Sequence, residues 1–231
     1  MKLPPPPSVE ELRAHTPRIG AVPAGIHRPF WSVMIPTYNS GDYLERTLRS
    51  VLCQAPGPDE MQIEVVDGGS TKDDPEQVTK RLGKGRVAFT RLVSNHGPAH
   101  TFNVCIERSV GHWVHILHGD DMVLPGFYAA YAAAIEAYPE ARTVFGQVVI
   151  VNESDQWTQL FGPTPPLESA IVTDFVERQA TKQLLLFPGV VVSREAYEGC
   201  GGFCTLFEHV TDWQMWSALP IHRRRCTVHL V

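Results

Sequence analysis

From Phe30 onward, short apolar runs alternate with amphipathic segments, and few architectures accommodate that rhythm. Each run is long enough for one strand, and each amphipathic segment can lay an apolar stripe on a sheet. The chain therefore reads as repeated βα units, an α/β fold with a Rossmann-like, mostly parallel sheet flanked by helices. The first run, Trp31–Pro36, leads into Thr37-Tyr38-Asn39-Ser40-Gly41. Asp42 and Glu45 then stand at N-cap and N3 spacing for a capping box. Tyr43, Leu44, Thr47, Leu48, Val51 and Leu52 recur at three- and four-residue steps until Pro56-Gly57-Pro58 stops the helix. A second strand, Ile63–Asp67, delivers Asp67-Gly68-Gly69-Ser70-Thr71 as a tight turn whose glycines let backbone approach a ligand closely. Asp74 and Pro75 predict the N-cap and first residue of a helix through Leu82. Next come a strand over Val87–Val93, a Ser94-Asn95-His96-Gly97 loop and a helix around Thr101–Ser109.

The fourth strand, Trp113–Leu117, ends in His118-Gly119-Asp120-Asp121, and Pro125 opens a helix through Tyr138. Ligands of open α/β sheets lie outside the carboxyl ends of the strands, so Asp67 and the Asp120-Asp121 pair should converge on one crevice. Hard oxygen ligands of this kind suit Mg²⁺ or Mn²⁺, which bind one or two carboxylates together with substrate phosphates. The plain alternative is that Asp120 or Asp121 caps the next helix.

A net charge of −5 over 231 residues leaves no broad basic face for nucleic acid. The sequence has neither an apolar run near the eighteen or so residues that span a bilayer nor an apolar N-terminal signal region, so the expectation is a cytoplasmic protein without a transmembrane segment. Arg223-Arg224-Arg225 reads as a solvated strand edge and leaves open a peripheral contact with phosphate or a lipid head group. Five cysteines, an odd number without a C-x-x-C pair, argue for free thiols, Cys200 and Cys204 included. His96, His100, His112 and His115 show no closed zinc spacing.

Ser32-Val33-Met34-Ile35-Pro36-Thr37-Tyr38-Asn39 resembles the opening strand of family 2 glycosyltransferases, inverting enzymes of the GT-A fold. The resemblance continues in order through Val65–Thr71, similar to the family's base-contacting motif, through Asn95–Asn103, and through His118-Gly119-Asp120-Asp121 at the place of the D-x-D-D metal motif. It implies nucleotide contacts at Pro36, Thr37, Tyr38, Asn39, Asp67, Gly69, Ser70, Asn95, Gly97, Asn103, Gly119 and Asp120, with Mn²⁺ or Mg²⁺ on Asp120 and His118. Two departures stand out. Gly68 follows Asp67 where many members carry a second aspartate, so the contact to the base rests on Asp67 alone or on backbone groups. His118 replaces the first aspartate of the metal motif, and a neutral imidazole can ligate the ion or donate a hydrogen bond to a ribose or phosphate oxygen.

The second half reads as a strand over Thr143–Asn152, a mobile, lid-like loop at Gly162-Pro163-Thr164-Pro165-Pro166, a helix near Thr173–Thr181 and a final strand, Cys226–Val231. Phe187–Arg194 and Gly199–Phe203 resemble the segment before the family's second acidic motif. Thr211-Asp212-Trp213-Gln214-Met215-Trp216 resembles that motif, which makes Asp212 the implied base, with Trp213 on the acceptor side and Glu208 as reserve; an N-cap is the plain alternative for Asp212. The implied organisation is a Pro-rich arm (1–29), a nucleotide-sugar-binding half (30–125) and a small acceptor-binding half (126–231) of one domain. The implied activity is hexosyltransferase-like, moving a sugar from a UDP- or dTDP-sugar to an acceptor hydroxyl. A binding module without turnover and a sugar nucleotidyltransferase are the alternatives, the latter disfavoured because the Thr37–Gly41 loop has no Lys or Arg.

Overall fold

The computed structural model describes residues 6–163, 170–172, 174–207, 209–222 and 226–228. After a short helix α1 (Val9–Ala14), the chain runs β1 (Trp31–Thr37), α2 (Gly41–Leu52), β2 (Met61–Asp67), α3 (Pro75–Gly83), β3 (Ala88–Arg91), α4 (Pro98–Arg108), β4 (Trp113–Ile116) and α5 (Phe127–Ala137). It continues through β5 (Thr143–Phe145), β6 (Val148–Val151), β7 (Trp157–Phe161), β8 (Ala170–Val172), α6 (Phe175–Thr181), β9 (Val190–Ser193), α7 (Arg194–Cys200), α8 (Thr211–His222) and β10 (Cys226–Val228). Eight strands form one sheet in the order β3-β2-β1-β4-β9-β5-β10-β8. β1 is parallel to β2 and β4, β2 to β3, and β5 to β10; only β9 and β8 run against their neighbours. The strand order reverses between β1 and β4, which opens a crevice where Thr37 and His118 emerge.

β1 is buried along its whole length because both sheet faces are covered. Val33 and Ile35 point to a core shared with Leu44, Leu48 and Val51 of α2 and Tyr131 of α5. Met34 points the other way, among Phe102 and Ile106 of α4 and Trp216 of α8. Burying one such Leu or Val side chain contributes about 1.5–3 kcal/mol, so the three- and four-residue spacing on α2 sets which way that helix faces.

The boundaries differ from expectation where distant residues intervene. The Asp42–Glu45 capping box does not form: α2 starts at Gly41, whose N–H donates to Asp73 Oδ2 at 2.6 Å, while Glu45 pairs with Arg49 (2.7 Å) and Arg81 (2.6 Å). Helix α4 begins at Pro98, ahead of the predicted Thr101. The Thr143–Asn152 run breaks at Gly146, whose N–H donates to Gly189 O at 2.9 Å, so β5 stays in the main sheet while β6 pairs with β7 in a separate hairpin. Asp74 caps α3 as expected. The Pro-rich arm packs on the domain over its described residues: Ile19 is 5% exposed in the core, and Arg28 donates to the carbonyls of Val110 and Gly111. The greater part of the expected lid (Thr164–Pro166), Glu208, Arg223–Arg225 and the end of the last strand lie outside the described residues. Among the described residues, no helix is long and apolar enough to cross a membrane.

Candidate active site

The crevice is built by turns that hold one another. Thr37 Oγ1 and Ser40 Oγ are hydrogen-bonded at 2.8 Å, and the Gly119 N–H donates to Pro36 O at 2.9 Å. A Cβ on Gly119 would stand 2.8 Å from Thr37 Oγ1, so only glycine lets the two strand ends come this close. From α2, the Thr47 hydroxyl reaches the carbonyls of Asp121 (2.7 Å) and Gly119 (3.0 Å), and Ser50 Oγ accepts the Val123 N–H at 3.2 Å. One helix face thereby fixes the loop that carries both aspartates.

Several residues expected to touch nucleotide spend their side chains on architecture. Asp67 is fully buried; its Oδ1 accepts the Ser70 N–H (2.9 Å) and hydroxyl (2.6 Å), and its Oδ2 accepts Arg91 Nε at 2.7 Å. Its carboxylate thus has three partners inside the protein, and the neighbouring Gly68 N–H is likewise engaged, donating to Thr37 O at 2.8 Å. Asn39, at φ 53°, ties the first turn to the second: its N–H donates to Ser70 Oγ (2.9 Å), and its Oδ1 accepts the amides of Thr71 (2.9 Å) and Lys72 (3.0 Å). Asn95 Oδ1 accepts the Gly97 N–H at 2.7 Å, shaping the entry to α4, where Gly97 takes φ 87°. Asn103 is buried and grips Phe203 from both sides, donating to its carbonyl at 2.9 Å and accepting its N–H at 2.6 Å. Replacing Asn103 by alanine strands both backbone groups, and urea unfolding is expected to show a loss of about 1–3 kcal/mol per unsatisfied group. Pro36, Thr37, Tyr38, Gly119 and Asp120 do line one pocket of about 200 Å³. Arg91 escaped sequence reasoning because what singles it out is its place opposite Asp67 in the β2–β3 register.

His118, Asp120 and Asp121 each offer a ligand atom within 4.8 Å of the others, with His118 Nδ1 3.9 Å from Asp121 Oδ2. The imidazole is stacked on Phe102 at 5.0 Å and packs against Phe187 at 4.4 Å, and its Nε2 is buried without a hydrogen-bond partner among the described residues. Burial pushes His118 down to about 4, against the pull of Asp120, so the ring is neutral at pH 7. Burial, then the Asp120 charge, raises Asp121 to about 7. Two carboxylates and a neutral imidazole this close make a donor set that fits one divalent ion of the Mn²⁺ or Mg²⁺ type.

Asp212 sits in the first turn of α8. Its Oδ1 accepts the Trp213 N–H at 2.7 Å, and its Oδ2 accepts Gln183 Nε2 at 2.5 Å. Trp213 is itself tethered, donating Nε1–H to Gln179 O on α6 at 2.6 Å. Burial pushes the Asp212 carboxyl above its ordinary value although both hydrogen bonds pull it down. A cleft of about 570 Å³ is lined by His118, Asp120 and Asp121, by Thr211 and Asp212, and by β6 and Pro188. Gln183, which orients Asp212, carried no sequence signal; it lies 29 positions away.

Comparison with known proteins bears on the family and the fold. The glycosyl transferase family 2 model matches residues 32–210. An uncharacterized Mycobacterium tuberculosis protein is 28% identical over 214 residues, covering 87% of this chain and 65% of that protein. The Staphylococcus aureus poly(ribitol-phosphate) beta-N-acetylglucosaminyltransferase TarS is 32% identical over 94 residues, 40% of this chain and 16% of TarS. This chain thus spans less than two thirds of the length of such relatives. A TarS crystal structure with UDP superposes with a TM-score of 0.70 at 19% identity, covering 87% of this chain and 60% of that one. The Pyrobaculum calidifontis mannosyltransferase in complex with GDP-Man and Mn²⁺ superposes with a TM-score of 0.60 at 18% identity, covering 96% and 62%. The fold is of the GT-A type.

Proposed function

We propose that this chain, which belongs to glycosyl transferase family 2, transfers a sugar from a UDP- or dTDP-sugar to an acceptor hydroxyl, with inversion and with Asp212 as the base. The observation that carries this reading is the shared cleft: the Asp120-Asp121 pair and Asp212 line one cavity. That supplies the two acidic sites the reaction needs, one at the leaving diphosphate and one at the incoming hydroxyl. Support for a nucleotide-sugar donor comes from structural neighbours bound to UDP, UDP-GlcNAc and GDP-Man.

The chain's own residues divide the work. The Thr37–Ser40 turn and the half-buried Gly69 offer the nucleotide backbone and hydroxyl groups at the carboxyl ends of β1 and β2. His118, Asp120 and Asp121 would hold Mn²⁺ or Mg²⁺, which when bound neutralises charge on the diphosphate as a Lewis acid. Gln183 and the Trp213 N–H keep the Asp212 carboxylate in one orientation. Asp212 accepts the proton of the acceptor hydroxyl as its oxygen bonds to the anomeric carbon, and the bond from that carbon to the diphosphate oxygen breaks on the opposite face. One displacement of this kind inverts the anomeric centre. A binding module without turnover is disfavoured by the placement of Asp212 in the cleft.

The test is incubation with UDP-, dTDP- and GDP-sugars plus Mn²⁺ and a panel of hydroxyl acceptors, with chromatography of released nucleoside diphosphate and NMR of the product anomer. Release from none of the donors, or retention at the anomeric carbon, sinks the reading. The pH dependence has a definite sign. The base must be ionised, and burial raises Asp212, so kcat is expected to fall on the acid side with a midpoint above the ordinary aspartate value of about 3.9. A kcat–pH profile measured with saturating donor checks this.

A further inference from the structure

The family match begins at residue 32, yet the stretch before it grips the segment that leads to Asp212. The Pro17 carbonyl accepts the Gly202 N–H at 2.8 Å, and the His15 carbonyl accepts the Thr205 N–H at 2.9 Å and its hydroxyl at 3.2 Å. The far side of the same segment is held by Asn103 through Phe203. Between these grips lies Cys204, whose carbonyl accepts the Thr211 hydroxyl at 3.0 Å. Thr211 opens α8, is buried, and immediately precedes Asp212.

The contact is built for close approach. A Cβ at Gly201 would stand 2.9 Å from Pro17 O, and Gly201 holds φ +88°, where a side chain is strained. A Cβ at Gly202 would stand 2.9 Å from Pro17 Cγ and would collide with Asn103 Oδ1. On its own side the arm is anchored by buried Ile19 and by Arg194, which donates to Gly20 O at 2.9 Å. Neither the arm nor residues 201–205 line the cleft that holds Asp212; these contacts reach it through Thr211 and through Phe203, whose ring packs on the cleft-lining Phe102 and Phe187.

We infer that His15–Ile19 form a positioning element for the base: by bracing Gly201–Thr205 they fix where Thr211 starts α8, and hence where the Asp212 carboxylate stands in the cleft. This rests on Asp212 being the base proposed above. Placement matters because a misplacement of about 1 Å can cost about 10²-fold in rate.

The test compares Ile19→Ala, which loosens the arm, with Gly201→Ala, which pushes on the Pro17 carbonyl from the opposite side, both in the full chain. Ile19→Val is the conservative control. Each alanine variant is expected to lower kcat tenfold or more while the donor KM stays within twofold, because neither the arm nor residues 201–205 line the pocket at Thr37, Tyr38 and Gly119. The double variant should be no worse than the more severe single one, since both break one contact. Hydrogen exchange of the amides in residues 201–205 should quicken in Ile19→Ala and stay unchanged in Ile19→Val. Unchanged exchange in Ile19→Ala, a donor KM that rises as kcat falls, or additive losses in the double variant would overturn the inference. The exchange readout needs no turnover, so a failed arm contact is told apart from a wrong base, which Asp212→Asn reports independently.

Discussion

Asp120→Ala is expected to abolish the Mn²⁺-dependent thermal shift expected of the unaltered protein with UDP or dTDP. The shift arises because a ligand that binds only the folded state stabilises it by RT ln(1 + [L]/Kd), about 2.7 kcal/mol at a hundredfold excess over Kd. On the proposed reading the ligand is a diphosphate beside Asp120 and Asp121, which line the cleft. Without a cation those like charges repel, so nucleoside diphosphate alone should shift the protein little. With the cation, Asp120 is the exposed carboxylate of the cluster and the one best placed to share an ion with a ligand arriving from solvent. Its loss leaves one carboxylate and an imidazole that brings no charge. The loop itself should survive, since Thr47 holds it through the carbonyls of Gly119 and Asp121 and the Asp120 side chain has no part in that contact. A shift of undiminished size in Asp120→Ala with Mn²⁺ present would show that the ion is held elsewhere.

Asp212→Asn is expected to lower turnover about 10²–10⁴-fold while the nucleoside diphosphate shift persists, because the loss falls on proton transfer and not on donor binding. Asparagine keeps the shape but not the basicity. It also disturbs the local bonding, since the Trp213 N–H and Gln183 Nε2 both donate to the carboxylate and an amide offers only one oxygen. One donor then faces an NH₂ group, at a cost of about 1–3 kcal/mol in stability. Measuring unfolding and turnover on the same samples separates that cost from the catalytic one. If Asp212→Asn turns over at the unaltered rate with its donor shift intact, the base lies elsewhere.

The parts of the site legible in the sequence were those set by residues close together along the chain. Short apolar runs mark β1 and β2, and three-to-four spacing marks α2; Asp74-Pro75 marks the start of α3; and His118-Gly119-Asp120-Asp121 sits at a strand end because β4 precedes it directly. The side-chain partners that local sequence did not reveal share one cause. Asn39, Asp67 and Asn103 are polar residues in the right motifs, yet each has a partner far along the chain: Asn39 caps amides 32 and 33 positions away, Asp67 meets Arg91 across 24, and Asn103 meets Phe203 across 100.

Strand and helix identity, the βα order and the acidic turn were thus determined by the sequence itself, because they follow from side-chain periodicity and local caps acting over a few residues. Which polar groups remain free to meet a ligand was decided only by the tertiary structure. A side chain's hydrogen-bonding capacity is finite, and whether it is already spent depends on the strand register and packing that bring distant segments together. The same packing brings Asp120 and Asp212 to one cleft, a relation that no spacing along the chain encodes.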